Sequence, residues 1–209
     1  MSPELRDDGP RGVLVWRWPE PVRVLASAPA GGGLSTADGL LNVGVPGDYA
    51  RTDLEEHAGE VRRRLGLGAA APVLFTAADL RRRRGAVVEG VRADATVGLA
   101  DLGWAACARP GSSSAALGTI NLVVQLPVAL TDAALVNAVI TATEAKVQAL
   151  LSAGFAGTGT PTDAVVVAAP LAGAAVPFAG PRAPWGARIA RAVFTAVAAG
   201  ALAWRERPA

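Results

Sequence analysis

The chain is poor in the residue types that usually announce chemistry. Its 209 residues include one cysteine, one histidine, one tyrosine and one lysine. A lone Cys107 can form neither an internal disulfide nor a cysteine-rich zinc site, so a reducing, cytoplasmic setting is the expectation. In its Ala-Ala-Cys-Ala run it reads as a small buried hydrophobe. His57 alone would have to serve any Ser-His-Asp, Cys-His or multi-histidine metal mechanism. It stands among Glu55, Glu56 and Glu60, which reads as an exposed helix face away from any pocket, and no metal site is expected. Uninterrupted apolar runs are short as well. Residues 164–180 are broken by Pro170 and Pro177, and 189–204 fall short of the roughly 20 residues a span needs. The opening MSPELRDDGP lacks the apolar region of a signal peptide. Membrane insertion is not expected. Nor is there a large excess of either charge: 20 basic against 18 acidic groups leave a net charge of +2, so nucleic acid is not an expected partner.

What is present is apolar. Hydrophobic residues make up 51% of the chain and charged ones 18%, which excludes a disordered or acidic-tail protein. The length suits a single domain over 1–209, with 1–12 as a flexible tail. Of the 20 basic residues, 19 are Arg and one is Lys146, and only Asp132, Glu144, Asp163 and Glu206 of the acids lie beyond residue 101. A charge in that apolar half needs a reason.

Residues 13–18 and 22–28 read as two strands at a turn around Pro19 and Pro21. Gly31 to Gly33 form a loop, 40–45 a strand and Pro46-Gly47-Asp48 a turn. Thr52-Asp53 with Glu55 and Glu56 starts a helix that Gly66 ends. Residues 73–76 form a strand, and 87–100 alternate like a half-buried antiparallel strand or hairpin, with Arg92, Asp94 and Thr96 on its polar face. The run Arg81 to Arg84 reads as a solvated face, with an anion patch as the alternative. A loop at 111–114 precedes a strand at 119–126. Thr131-Asp132 caps a helix to about 151, ended by Gly154, and residues 157–163 form a loop. Residues 164–169 are a buried strand, followed by a turn and a further strand; a last helix covers 187–204. Without βαβ alternation the pattern is α+β: one domain, a mostly antiparallel mixed sheet covered by two or three helices.

The helix 131–151 places Asn137, Thr141, Glu144 and Gln148 on one stripe while the rest is apolar, so the stripe is expected to face a cavity or polar seam. At about 100° per residue, Lys146 lies about 200° round the helix from Glu144. Lys146 either snorkels to solvent or supplies the compact, titratable amine that Arg cannot. The loop Gly157-Thr158-Gly159-Thr160-Pro161-Thr162-Asp163 offers open backbone N–H groups and hydroxyls, the makings of an oxyanion or anion nest. It is no Walker loop, because the Lys-Ser/Thr ending is absent and a strand, not a helix, follows. Asp163 is either a general base or the cap of its own loop.

Taken in order, Gly118-Thr119-Ile120-Asn121-Leu122, Ala134-Leu135-Val136-Asn137-Ala138, Thr141-Ala142-Thr143-Glu144-Ala145-Lys146 and the Gly/Thr loop ending at Asp163 resemble adenosylcobinamide amidohydrolases. Ser27-Ala28-Pro29, Asn42, the run from Pro46 to Asp53, Ala179-Gly180-Pro181 and Trp185-Gly186 fit the same pattern, so the resemblance runs from about residue 22 to 198. Pro161 and Arg182-Ala183 depart from it, standing where the family commonly has a small residue and His-Thr. The resemblance implies an enzyme that cleaves the aminopropanol arm from adenosylcobinamide to give adenosylcobyric acid in corrinoid salvage. A corrinoid small molecule is then the substrate and partner, with no cofactor. In such an enzyme Glu144 or Asp163 would activate a water or the Thr160 hydroxyl, and Lys146 with the Thr158–Thr160 backbone would hold the oxyanion. Asn42, Asn121, Asn137, Thr141, Thr158 and Thr162 would bind substrate in a large cavity. A non-catalytic corrinoid-binding protein on the same fold and a small phosphate-ester enzyme using the Gly/Thr loop are the alternatives. Convergence of Glu144, Lys146, Asp163 and Asn121 in one pocket would separate them. The oligomeric state, a homo-oligomer included, is left open.

Overall fold

The computed structural model describes residues 1–106 and 118–207; Cys107 and the loop expected at 111–114 lie outside them. Strand β1 (Glu4–Arg6) pairs with β2 (Val13–Ala26), which decides the shape of the sheet. Pro19 and Pro21 have no N–H for a ladder, and the register of β2 against β3 (Gly33–Gly44) shifts between Arg17 and Val22. The segment expected as two strands is thus one strand with an irregularity, shared by both halves of the sheet. Its first half pairs with β1 and its second with β8 (Ala164–Pro170). The remaining strands are β4 (Val73–Thr76), β5 (Arg84–Val88), β6 (Val91–Val97) and β7 (Ile120–Gln125), in the order β4-β3-β2-β8-β7-β6-β5. Glu89 and Gly90, both at positive φ, make the tight turn of the β5–β6 hairpin. β3–β4 and β7–β8 pair in parallel and the other pairings are antiparallel. The α+β class and mostly antiparallel sheet therefore stand.

Helix α1 (Leu54–Leu65) lies between β3 and β4, and α2 (Asp132–Ser152) links the parallel strands β7 and β8. These are βαβ connections, contrary to the expectation of none. Thr131 caps α2 as expected, its hydroxyl accepting the Ala134 N–H at 3.2 Å. Asp53 does not cap α1 with its side chain, because Arg51 engages that carboxylate instead. Helix α3 (Pro184–Arg205) starts earlier than expected, with Pro184 in its first turn, and residues 171–183 contain no strand. Both α2 and α3 are long and apolar enough to cross a membrane, and about half of each is buried inside the fold. The segment 1–12, expected as a flexible tail, is tied down by β1 and by Gln125 donating to the Met1 carbonyl at 2.8 Å.

Three clusters of apolar side chains make the core. Leu122, Val124 and Val167 meet Leu135, Ile189 and Val193 of α2 and α3; Ala58 and Val61 of α1 cover Val15, Leu41 and Val43. In the third, the two halves of the sheet cover each other: Leu14, Trp16, Leu40 and Leu74 meet Val123, Ala164 and Val166. This closure removes Trp16, Leu40 and Leu74 from water, at roughly 1.5–3 kcal/mol each. It also covers the face of β6 expected to be wet. Asp94 and Thr96 are each 2% exposed, and Asp94 is held by Arg83 and Arg92, so the arginine run is partly structural.

Candidate active site

Lys146 is the charged residue that α2 turns inward. It is buried, and its Nζ forms an ion pair with Asp163 Oδ2. Asp163 ends the loop between α2 and β8. Its second oxygen, Oδ1, accepts the Ile120 backbone N–H at 2.9 Å and the Thr160 hydroxyl at 2.6 Å. One carboxylate thus joins the helix, the loop and the first residue of β7. Gly159 makes this approach feasible, since a Cβ there would run into both Asp163 Oδ2 and Lys146 Nζ. The loop is pinned from outside. Gly103 N–H donates to the Gly159 carbonyl at 2.9 Å and Thr158 N–H to the Gly103 carbonyl at 2.8 Å, while the Thr158 hydroxyl accepts the Ala105 N–H at 2.8 Å.

The rest of the α2 stripe is not part of this centre. Glu144 and Gln148 are exposed and Asn137 half-buried, because the rotation that turns Lys146 inward carries Glu144 outward. Thr141 is buried but donates to the Ala179 carbonyl at 2.8 Å, a structural bond. Glu144 is therefore corrected from candidate base to surface residue, and the stripe, Thr141 apart, borders solvent where a cavity or polar seam was expected. The Thr158 N–H, spent on Gly103, offers nothing to an oxyanion. Asp163 does not cap its loop by an Asx turn; it reaches across to β7.

Beside Asp163 a cavity of about 450 Å³ opens between the two sheet halves. One wall carries Thr119, Asn121, Pro161, Thr162 and Asp163; the other carries Tyr49, Arg51, Phe75 and Thr76. The Thr119 and Thr162 hydroxyls lie 2.6 Å apart, and Thr162 also donates to the Gly118 carbonyl at 3.1 Å. Asn42 of β3 and Asn121 of β7 meet across the closure: Asn121 Nδ2 donates to Asn42 Oδ1 at 2.9 Å, and Asn42 Nδ2 donates to Thr96 at 3.0 Å. Another hollow, of about 380 Å³, is lined by Trp18, Pro19, Pro127 and Pro170 and holds none of the candidate residues. Arg182 and Ala183 are outside the 450 Å³ cavity lining, so the departure there removes no group from its wall.

Tyr49, Arg51 and Phe75 of the second wall were not among the candidate site residues of the sequence. Tyr49 OH lies 2.7 Å from His57 Nδ1, and both rings stack on Phe75. The histidine expected on an exposed face is half-buried behind the tyrosine. Burial first, and then the Arg51 charge, pushes the His57 pKa down; burial also raises that of Tyr49. Arg51 is tied to Asp53 and Glu60 and holds the Asp53 carboxyl down at about 2. A signal did exist: Tyr49 and His57 are each the single residue of their type in the chain. Among the described residues no three of His, Cys, Asp or Glu are grouped as a metal ion would require.

Chemically, the cavity offers a carboxylate held by three donors, a tyrosine backed by histidine, and a buried amide. The family model for adenosylcobinamide amidohydrolase matches residues 2–209. A relative from Halobacterium salinarum, named adenosylcobinamide amidohydrolase, is 36% identical over 176 residues, covering 80% of this chain and 75% of the relative. One of the same name from Methanosarcina mazei is 30% identical over 178 residues, covering 81% of this chain and 85% of its own length. A family-model match over nearly the whole length, with two relatives of that name at 30–36% identity, places the chain in the adenosylcobinamide amidohydrolase family of hydrolases.

Proposed function

We propose that this chain hydrolyses the amide between adenosylcobyric acid and its aminopropanol arm, returning adenosylcobyric acid for re-use in corrinoid salvage in the cytoplasm, without cofactor or metal. The observation that carries this reading is Asp163, a carboxylate in the wall of a cavity and fixed from behind by Lys146, Thr160 and the Ile120 amide. A carboxylate has about four lone-pair positions, so three bound donors leave one for a water in the cavity. Asp163 takes a proton as the water oxygen adds to the carbonyl carbon. The C–N bond then breaks with its electron pair on nitrogen, which takes the proton from Asp163, and the products are the acid and the amine.

The oxyanion needs a donor in the same space. Lys146 does not line the cavity, so it is a positioning residue for Asp163. The donor is Tyr49: when the His57 Nδ1–H donates to the phenol oxygen, the phenol hydrogen is free for the cavity. Tyr49→Phe is expected to lower kcat by about 100-fold, the scale of one oxyanion donor, with KM little changed. An equal kcat would remove Tyr49 from the reaction. Thr160 bonds Asp163 but is not part of the cavity wall. Thr160→Val is therefore expected to keep turnover within about 10-fold, whereas a nucleophile would lose nearly all of it. Complete inactivity of a folded Thr160→Val protein would make this hydroxyl the nucleophile.

At about 450 Å³ the cavity is of ordinary small-ligand size. It takes the arm and its amide, and the corrin ring lies across the mouth. The large cavity expected from the size of the substrate is thus not required. The deciding experiment is incubation with adenosylcobinamide and chromatographic detection of adenosylcobyric acid. Binding without product would return the protein to the corrinoid-carrier class.

A further inference from the structure

Asn121 is 2% exposed, yet it stands in the wall of the cavity. Its Nδ2 donates to two acceptors, Asn42 Oδ1 at 2.9 Å and the Phe75 carbonyl at 3.0 Å. Turning the amide over would set its oxygen against both of them, so the orientation is fixed by its neighbours. Asn42 is fixed in turn, because the Asn121 Nδ2 needs its oxygen as acceptor, which leaves the Asn42 Nδ2 to donate to Thr96. The consequence falls on Asn121 Oδ1, which is buried and has no donor among the described residues. Buried acceptors are normally satisfied, and this one belongs to a residue that lines the same cavity as the candidate base Asp163, so a ligand that brings a hydrogen would satisfy it.

Resting on the amide hydrolysis proposed above, we infer that Asn121 Oδ1 accepts the N–H of the scissile amide, making Asn121 the residue that selects amides over esters. A secondary amide offers one hydrogen at the reacting centre, on nitrogen. An ester offers a lone pair at the same place, which would face the Asn121 oxygen unpaired. The acid product, once ionised, is acceptor-only as well, so Asn121 holds substrate and leaving amine and not the carboxylate left behind. Holding the N–H also fixes the direction of the nitrogen lone pair that must be protonated. A site built to bond a substrate N–H discriminates strongly against an analogue without it, because its own buried group is then left unpaired.

The test compares adenosylcobinamide with its ester isostere, in which oxygen replaces the arm N–H, on the unaltered protein. Esters are the more reactive class towards water, so a site indifferent to the N–H would cleave the ester faster. The expected result is the reverse: kcat/KM for the amide at least about 100-fold above that for the ester. In Asn121→Leu, whose fold is checked by circular dichroism, this preference should collapse or invert. Hydrolysis of the ester by the unaltered protein as fast as the amide, or an unchanged preference in folded Asn121→Leu, overturns the inference while leaving the amidohydrolase reading intact. Turnover of neither substrate overturns both. Should Asn121→Leu fail to fold, the ratio on the unaltered protein decides alone.

Discussion

Asp163→Asn is expected to lower kcat for adenosylcobinamide by at least about 100-fold, the usual scale for removing a general base, with corrinoid binding largely kept. The substitution preserves shape and leaves an oxygen for the Ile120 amide and the Thr160 hydroxyl, but puts an NH₂ group against the Lys146 ammonium. Lys146 is then a cation without its carboxylate where its side chain is only 8% exposed. Breaking a buried pair from one side costs about 3–5 kcal/mol, a fall of roughly 6–20 °C in Tm for a chain of this length. Loss of fold and loss of chemistry are separated by the double variant Asp163→Asn with Lys146→Met. Removing the stranded charge should restore most of the Tm, and turnover should stay low. Recovery of turnover along with stability would show that Asp163 is a structural ion-pair partner and that the base is another group.

Gly159→Ala should be the most damaging single-methyl change in the loop. The added carbon would occupy the space where Asp163 Oδ2 and Lys146 Nζ meet, and the loop cannot back away because Gly103 holds it on the other side. Overpacking of this kind costs about 1–3 kcal/mol, or roughly 2–12 °C in Tm. The larger effect falls on kcat, expected to drop more than about 10-fold as the carboxylate is displaced, since small misplacements at a reacting centre are costly. Parallel thermal melts and steady-state rates check both. A variant with unchanged rate would mean that the Lys146–Asp163 contact has no part in holding the base.

The local signals in this chain were legible because they are short-range. Thr131 bonds the N–H three residues on, and Gly66 takes the left-handed conformation that ends α1, as their residue types require. Lys146 and Asp163 were identifiable as rare charges in an apolar half, and they meet. What could not be read is which side of α2 the protein uses. The stripe through Glu144 is as regular as any amphipathic face, yet of its four residues only Thr141 is buried, and Lys146, well round the helix from Glu144, is the charge that goes inside. Periodicity says that two groups lie on opposite sides but not which side is inside. The curl of the sheet was equally hidden. Asp94 and Thr96 alternate like a solvated face, and they are buried because a bent strand far away in sequence brings the other half of the sheet over them. The role of Tyr49 depends on that same closure: its segment reads as a turn after a strand until β7 and β8 supply the opposite wall.

That division between near and far contacts has a consequence for how the protein becomes competent. Lys146, Thr160 and Asp163 belong to one crossover between adjacent parallel strands, so their meeting requires only that α2 dock and β8 pair with β7. Asn42 and Asn121 are 79 residues apart, and the wall carrying Tyr49 joins them only when the two halves of the sheet close. Loop closure over longer separations is entropically later and slower. On refolding, the acid–base centre is therefore expected to form before the chamber in which it works. Helical signal should return ahead of catalytic competence, and the interval between them would measure the closing of the sheet.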